Sequence, residues 1–110
     1  EFFGPGVAGL NADARAVVAN MAPEYGASTG YFPVDKTTID YLERTGRSAT
    51  LCARIEPAFR AMGLWFDPDA TPAFDRVVEI DLSTIAPIIA GPRRPQDRCA
   101  PRDAQLHQYF

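Results

Sequence analysis

At 110 residues, with 46% hydrophobic and 23% charged content, the chain has the length and composition of one folded globular domain rather than of a disordered segment. A net charge of −3, with no basic run longer than the pair Arg93-Arg94, argues against a nucleic-acid binder acting alone. The apolar runs are too short for a membrane-spanning helix. Two cysteines, Cys52 and Cys99, and one histidine, His107, are too few for a self-contained zinc or iron–sulfur site. Free thiols and a cytoplasmic location are expected, with a disulfide left open by spacing.

The opening "EFFGPGVAGL" has neither a basic region nor a long apolar run, so no signal peptide is read there. It also lacks an initiator methionine, and the chain is expected to be a piece of something longer. "EFFGPGV" reads as the end of a strand entering a turn at Gly4-Pro5-Gly6. Leu10, Ala14, Val17, Val18 and Met21 then recur at helical spacing, with Asn11 and Asp13 at the start. A helix over about 11–22 is predicted, with Arg15 off its apolar stripe. Pro23 ends or kinks it, since proline has no N–H and crowds the preceding turn.

"STGYFPV" is aromatic and β-branched and reads as a second strand. "DKTTIDYLERTG" reads as a helix capped by Asp35 or Thr37 and stopped at Gly46. Residues 48–63 carry a further helical pattern, capped by Ser48 and stopped at Gly63, with a kink or a break expected at Pro57. "LWFDPDATPAF" is a loop, and "RVVEIDLS" alternates strongly enough to be the clearest strand. The Pro- and Arg-rich stretch from Thr84 onward reads as irregular. The order β-α-β-α-α-β predicts a small three-layer α/β domain over residues 1–90 with a short, largely parallel sheet. Residues 91–110 are expected to be an extended tail or linker.

Common catalytic constellations are absent. There is no GxGxxG after a strand, no phosphate-binding GxxxxGK[ST] and no GxSxG elbow, and His107 near the end is poorly located for a triad base. Asp67 and Asp69 in "FDPDAT" read as turn chemistry. Glu79 and Asp81 read as the solvent face of a strand. Asn20 and Glu24, in "NMAPEYGASTGYFPVD", stand out as polar groups at the end of an apolar helical pattern. If the backbone stays helical they are neighbours on one side. If Pro23 opens a new segment, Glu24 lies in its first turn, and capping alone accounts for it.

The blocks "EFFGPGVAGL", "NMAPEYGASTGYFPVD", "YLERTGR", "VVEIDLSTIAP" and "GPRRPQDR" resemble, in this order, part of the second domain of the aconitase family. The likeness is to its bacterial and iron-regulatory-protein branch. The resemblance implies a hydro-lyase interconverting citrate and isocitrate by removing and re-adding water. It implies a [4Fe–4S] cluster in the complete family enzyme, with one iron acting as a Lewis acid. The family's cluster cysteines lie in an SCTN-like motif and a CxxC motif that this chain lacks, so no cluster is expected to be held by this chain alone.

Asn20 and Glu24 match the family's active-site pair in N-M-x-x-E. Glu24 is implied as the carboxylate that accepts or relays a proton at the substrate hydroxyl or water, and Asn20 as its neutral hydrogen-bonding support. Thr29 departs from the family's commoner GATCGFFP, at a position that is not a cluster ligand. Arg93, Arg94 and Gln96 read as structural or interface residues. The expected partners are the remaining aconitase domains or a complementary subunit, a small polycarboxylate, and a second copy of the chain pairing through an exposed sheet edge. Two alternatives stand beside this reading. One is a free-standing domain acting on a small carboxylate without a cluster; the other is a non-catalytic or RNA-regulatory module.

Overall fold

The computed structural model describes residues 1–90, 94 and 96–104. Two compact units are present, Glu1–Val77 and Val78–Phe110. In the first, a 3₁₀ turn over Pro5–Gly9 precedes helix α1, Ala12–Asn20, and a second 3₁₀ turn, Ala22–Tyr25, follows it directly. Helices α2, Lys36–Arg44, and α3, Ala49–Ala61, complete that unit. α2 packs against both α1 and α3.

The helices start where the caps lie. Asn11 Oδ1 accepts from Ala14 N at 2.8 Å, and Asp13 in the first turn meets the positive end of the α1 dipole. Ser48 Oγ accepts from Leu51 N at the head of α3. Asp35 caps α2 through Oδ1, which accepts from Thr37 N at 2.9 Å and Thr38 N at 3.3 Å. The Ala22–Tyr25 turn ends on Gly26, at φ 87°, a left-handed conformation that glycine adopts without strain. Gly26 N donates to Pro23 O and Ala27 N to Ala22 O, the paired closure of a Schellman motif. α2 and α3 close the same way on Gly46 and Gly63.

Pro57 neither breaks nor divides α3, which runs unbroken over Ala49–Ala61. The hydrogen bond that proline cannot donate would have gone to the Ala53 carbonyl, and both residues are exposed, so water can serve that carbonyl instead.

Among the described residues the apolar core is small: Val7, Ala22, Ile39 and Cys52. A buried ion pair completes it. Arg15 is 4% exposed, and its Nη2 donates to Asp35 Oδ2 at 2.6 Å and to Val7 O at 3.0 Å. Its Nε donates to Leu10 O at 2.8 Å and its Nη1 to Pro33 O at 3.3 Å. One guanidinium therefore fastens the first 3₁₀ turn, the start of α1 and the entry to α2. Burial alone would raise the Asp35 pKa, but the Arg15 and Thr37 hydrogen bonds, the Arg15 charge and the Thr38 amide outweigh it and hold the carboxyl below its ordinary value.

The expected largely parallel three-layer sheet is not the architecture of the described residues. The one sheet among them is antiparallel and two-stranded, β1 Ile89–Ala90 with β2 Arg98–Cys99, in register Ile89 to Cys99 and Ala90 to Arg98. The expected strand over 28–34 is reduced to a single parallel bridge, Val34 to Trp65, with Phe66 N donating to Val34 O at 2.9 Å. The opening segment makes one such link, Phe2 N to Tyr31 O at 2.8 Å, beneath stacked Phe2 and Phe32 rings.

Residues 76–81 form no strand, and Val77, Val78 and Ile80 are 55%, 72% and 64% exposed. Alternation makes a stretch able to join a sheet, but a parallel strand also needs a partner strand and cover on both faces. The described residues supply neither. Part of the stretch read as an irregular tail is ordered instead, as β2 and a 3₁₀ turn over Pro101–Asp103.

Candidate active site

Asn20 is the last residue of α1, and Glu24 lies in the Ala22–Tyr25 turn. Of the two backbone readings, the one with Pro23 opening a new segment holds: Pro23 sits in the first turn and Glu24 N donates to Met21 O at 3.2 Å. Both side chains are exposed. Among the described residues Glu24 has no ion-pair or hydrogen-bond partner for its carboxylate.

Asn20 lines a hollow of about 420 Å³ together with Ser28, Thr29, Pro23, Gly30 and three alanines, Ala16, Ala19 and Ala22. Glu24 follows Pro23 directly and does not line it. The hollow's far wall, residues 28–30, lies close against the end of α1. A β-carbon on Gly30 would stand 2.8 Å from the Ala19 Cα and 3.3 Å from the Ala19 carbonyl oxygen. Backbone cannot yield to such a contact, so only glycine lets residues 28–30 lie there.

A second concavity, of about 960 Å³, is aromatic: Phe3, Tyr31, Trp65 and Phe66 line it with Pro33, Pro68 and Pro72. The Arg60 guanidinium sits over the Trp65 ring, 5.0 Å from its centroid.

The remaining acidic candidates have local roles. Asp67 Oδ1 accepts from Asp69 N at 3.0 Å, the turn chemistry expected. Asp81 lies on no strand. It caps a 3₁₀ turn over Leu82–Thr84, accepting from Ser83 Oγ at 2.7 Å and Ser83 N at 2.9 Å, and these bonds lower its pKa. Arg94 pairs with Asp97 at 3.2 Å, while Arg93 and His107 lie outside the described residues. Cys52 is a buried free thiol on α3. No three His, Cys, Asp or Glu side chains lie together among the described residues, so this donor set does not fit an iron–sulfur cluster.

Sequence reasoning missed two things here. Arg15 was set aside as off the stripe, although a lone cation amid the small apolar residues of α1 is a signal for a buried partner. Ser28 and Thr29 are expected in the strand over 28–34, with Thr29 a departure from the family's GATCGFFP, and not beside Asn20.

The geometry leaves a helix-break site without a parentage, and comparison with known proteins supplies one. The family model for aconitase (aconitate hydratase) matches residues 1–108, and the chain belongs to the aconitase family. It is 50% identical over 100 residues to aconitate hydratase A of Mycobacterium avium, covering 91% of this chain and 10% of that protein. It is 53% identical over 98 residues to aconitate hydratase A of Bacillus subtilis, covering 88% and 11%. With the Thermus thermophilus protein it shares 50% over 100 residues, covering 89% and 11%. The chain thus spans about a tenth of the length of the curated relatives it matches.

Proposed function

We propose that this chain supplies one wall of an aconitase-type hydro-lyase site, acting on a small hydroxy-polycarboxylate such as citrate, with Glu24 as the proton-transfer group and Asn20 beside it. The observation that carries this reading is the helix break in a family member: α1 ends at Asn20, and the turn that follows presents a Glu24 carboxylate with no partner among the described residues. An exposed carboxylate held on an ordered turn can meet a substrate completed from elsewhere.

Dehydration of a β-hydroxy acid breaks a C–O and a neighbouring C–H bond and leaves a C=C bond and water, and the C–H proton would pass to a base on one of the walls supplied from outside this chain. The departing oxygen must gain a proton. Protonated Glu24 would deliver it, and the same carboxylate would take a proton from water in the reverse addition. Asn20, neutral at every working pH, would donate through Nδ2 and accept through Oδ1 to fix the oxygen's position. The chain's own donors among the described residues do not fit a cluster. The remaining walls would come from the other aconitase domains or from a complementary subunit.

The test is a graft. Residues 1–104 replace the matching segment of Bacillus subtilis aconitate hydratase A, and formation of the unsaturated acid from citrate is followed. Activity lost in Glu24→Gln and weakened in Asn20→Ala, with melting temperature unchanged, supports the reading. Full activity in Glu24→Gln removes Glu24 from the reaction.

A further inference from the structure

We propose that Arg15 is a positioning residue for the proton transfer: its clasp with Asp35 fixes where the end of α1 holds the Glu24 carboxylate. This rests on the hydro-lyase reading and deepens it.

Three observations converge. First, Arg15 and Asp35 stand at the two ends of the loop that carries Asn20 and Glu24, and the pair that closes it is buried, at 5% and 12% side-chain exposure. The pairs Lys36–Asp40, Arg44–Asp13 and Arg60–Glu56 are at least 40% exposed on both sides. Second, the returning segment is fastened to α1 at two heights. Pro33 O and Asp35 Oδ2 accept from the Arg15 guanidinium at the base, and Gly30 packs onto the Ala19 backbone at the top, with no room for a β-carbon. Third, hydrogen-bonded backbone runs on from there to Glu24. Met21 N donates to Val18 O and Glu24 N to Met21 O, each at 3.2 Å, and Ala22 between them is fully buried. The Glu24 side chain makes no hydrogen bond or ion pair among the described residues, so the backbone alone sets its place.

The energetics point the same way. A buried ion pair adds little net stability over apolar residues of the same volume, because desolvation offsets most of the attraction. What several directional bonds from one planar guanidinium do supply is a fixed orientation. Asn20 lies five residues along α1 from Arg15, about 7.5 Å at the helical rise, so a tilt at the clasp is carried to the site. Displacing a reacting group by about 1 Å costs up to about 100-fold in rate.

The grafted Bacillus subtilis enzyme tests this with two variants. Arg15→Lys keeps the charge but not the planar fork, and Asp35→Asn keeps a capping oxygen for the Thr37 and Thr38 amides. Each is made with Glu24 and with Glu24→Gln, and kcat and KM for citrate are measured well below the melting temperature. With Glu24 present, kcat is expected to fall about 10- to 100-fold, while KM moves by less than about 3-fold. On the Glu24→Gln background the same substitutions should change the residual rate by less than about 2-fold, because a group that no longer transfers a proton loses nothing by being misplaced. A merely structural clasp would lower both backgrounds equally. An equal fall on both, or an unchanged kcat with Glu24 present, overturns the positioning role and leaves the hydro-lyase reading standing. If Glu24→Gln alone turns over citrate at the parent rate, both fall. Where a clasp variant does not fold in the long graft, a graft of residues 11–35 carries the same comparison.

Discussion

The loop from Arg15 to Asp35 and the stretch from Val77 to Ile88 are treated oppositely by the same chain. The loop is closed at its base by a buried ion pair with all of its carbonyl partners satisfied, and Ala22 inside it is fully buried. The stretch leaves Val77, Val78, Ile80, Leu82, Ile85 and Ile88 all 45% exposed or more. The loop finds every partner within a few turns of itself. The stretch has a pattern made for a sheet and no sheet among the described residues to join. Local order and candidate chemistry therefore coincide, since Asn20 and Glu24 both lie inside the loop.

Breaking the clasp has the largest expected effect. Arg15→Met leaves the Asp35 carboxylate without its cation and the Leu10 and Pro33 carbonyls without the Arg15 donor, while Val7 O keeps the Leu10 amide. Removing one partner of a buried pair costs about 3–5 kcal/mol, against a total of about 5–15 kcal/mol for a typical domain. Denaturant titration should show the midpoint collapse. Arg15→Met with Asp35→Ser, which keeps a capping hydroxyl on α2, should recover part of the loss. A single variant as stable as the parent would mean that the pair contributes nothing.

Gly30→Ala comes next, at about 1–3 kcal/mol, the usual cost of forcing atoms into a packed contact. It should also spoil turnover in the grafted enzyme more than its stability loss explains, because residues 28–30 must move off Ala19.

The third effect depends on pH. The Asp35 pKa is lower folded than unfolded, so its contribution is fully present above the unfolded value and is lost as pH falls through the folded one. Stability should decline on acidification below the ordinary aspartate range. Asp35→Asn should be weaker at neutral pH and lose less of its remaining stability across that window.

The smallest effect lies in the other region. Val78→Lys or Ile80→Lys should change the stability of this chain by no more than about 0.5 kcal/mol, as at other exposed sites. In the graft the same changes should cost several times more if the stretch finds its sheet there. Equal, small effects in both settings would erase the contrast between the two regions.

What the amino-acid order disclosed follows the same division. Helices are local objects, and Asn11, Asp35, Ser48, Gly46 and Gly63 marked their ends to within a residue or two. A strand is a relation, and "RVVEIDLS" carries an alternation whose partner no local pattern could supply. The Arg15–Asp35 pair was illegible for a related reason: helical periodicity describes the faces of one element, not the contact between two. Asn20 and Glu24 are candidates only through the motif that contains them. Composition alone fits a capped turn equally well, and both side chains lie exposed.

The decisive measurement is the steady-state rate of citrate dehydration by the Bacillus subtilis graft with Glu24 and with Glu24→Gln. General acid–base groups contribute about 10²–10⁴-fold. If Glu24 moves the proton, kcat falls by at least about 100-fold while the melting temperature holds, because the exposed side chain makes no hydrogen bond or ion pair among the described residues. A Glu24→Gln graft that turns over citrate at the parent rate would contradict the account.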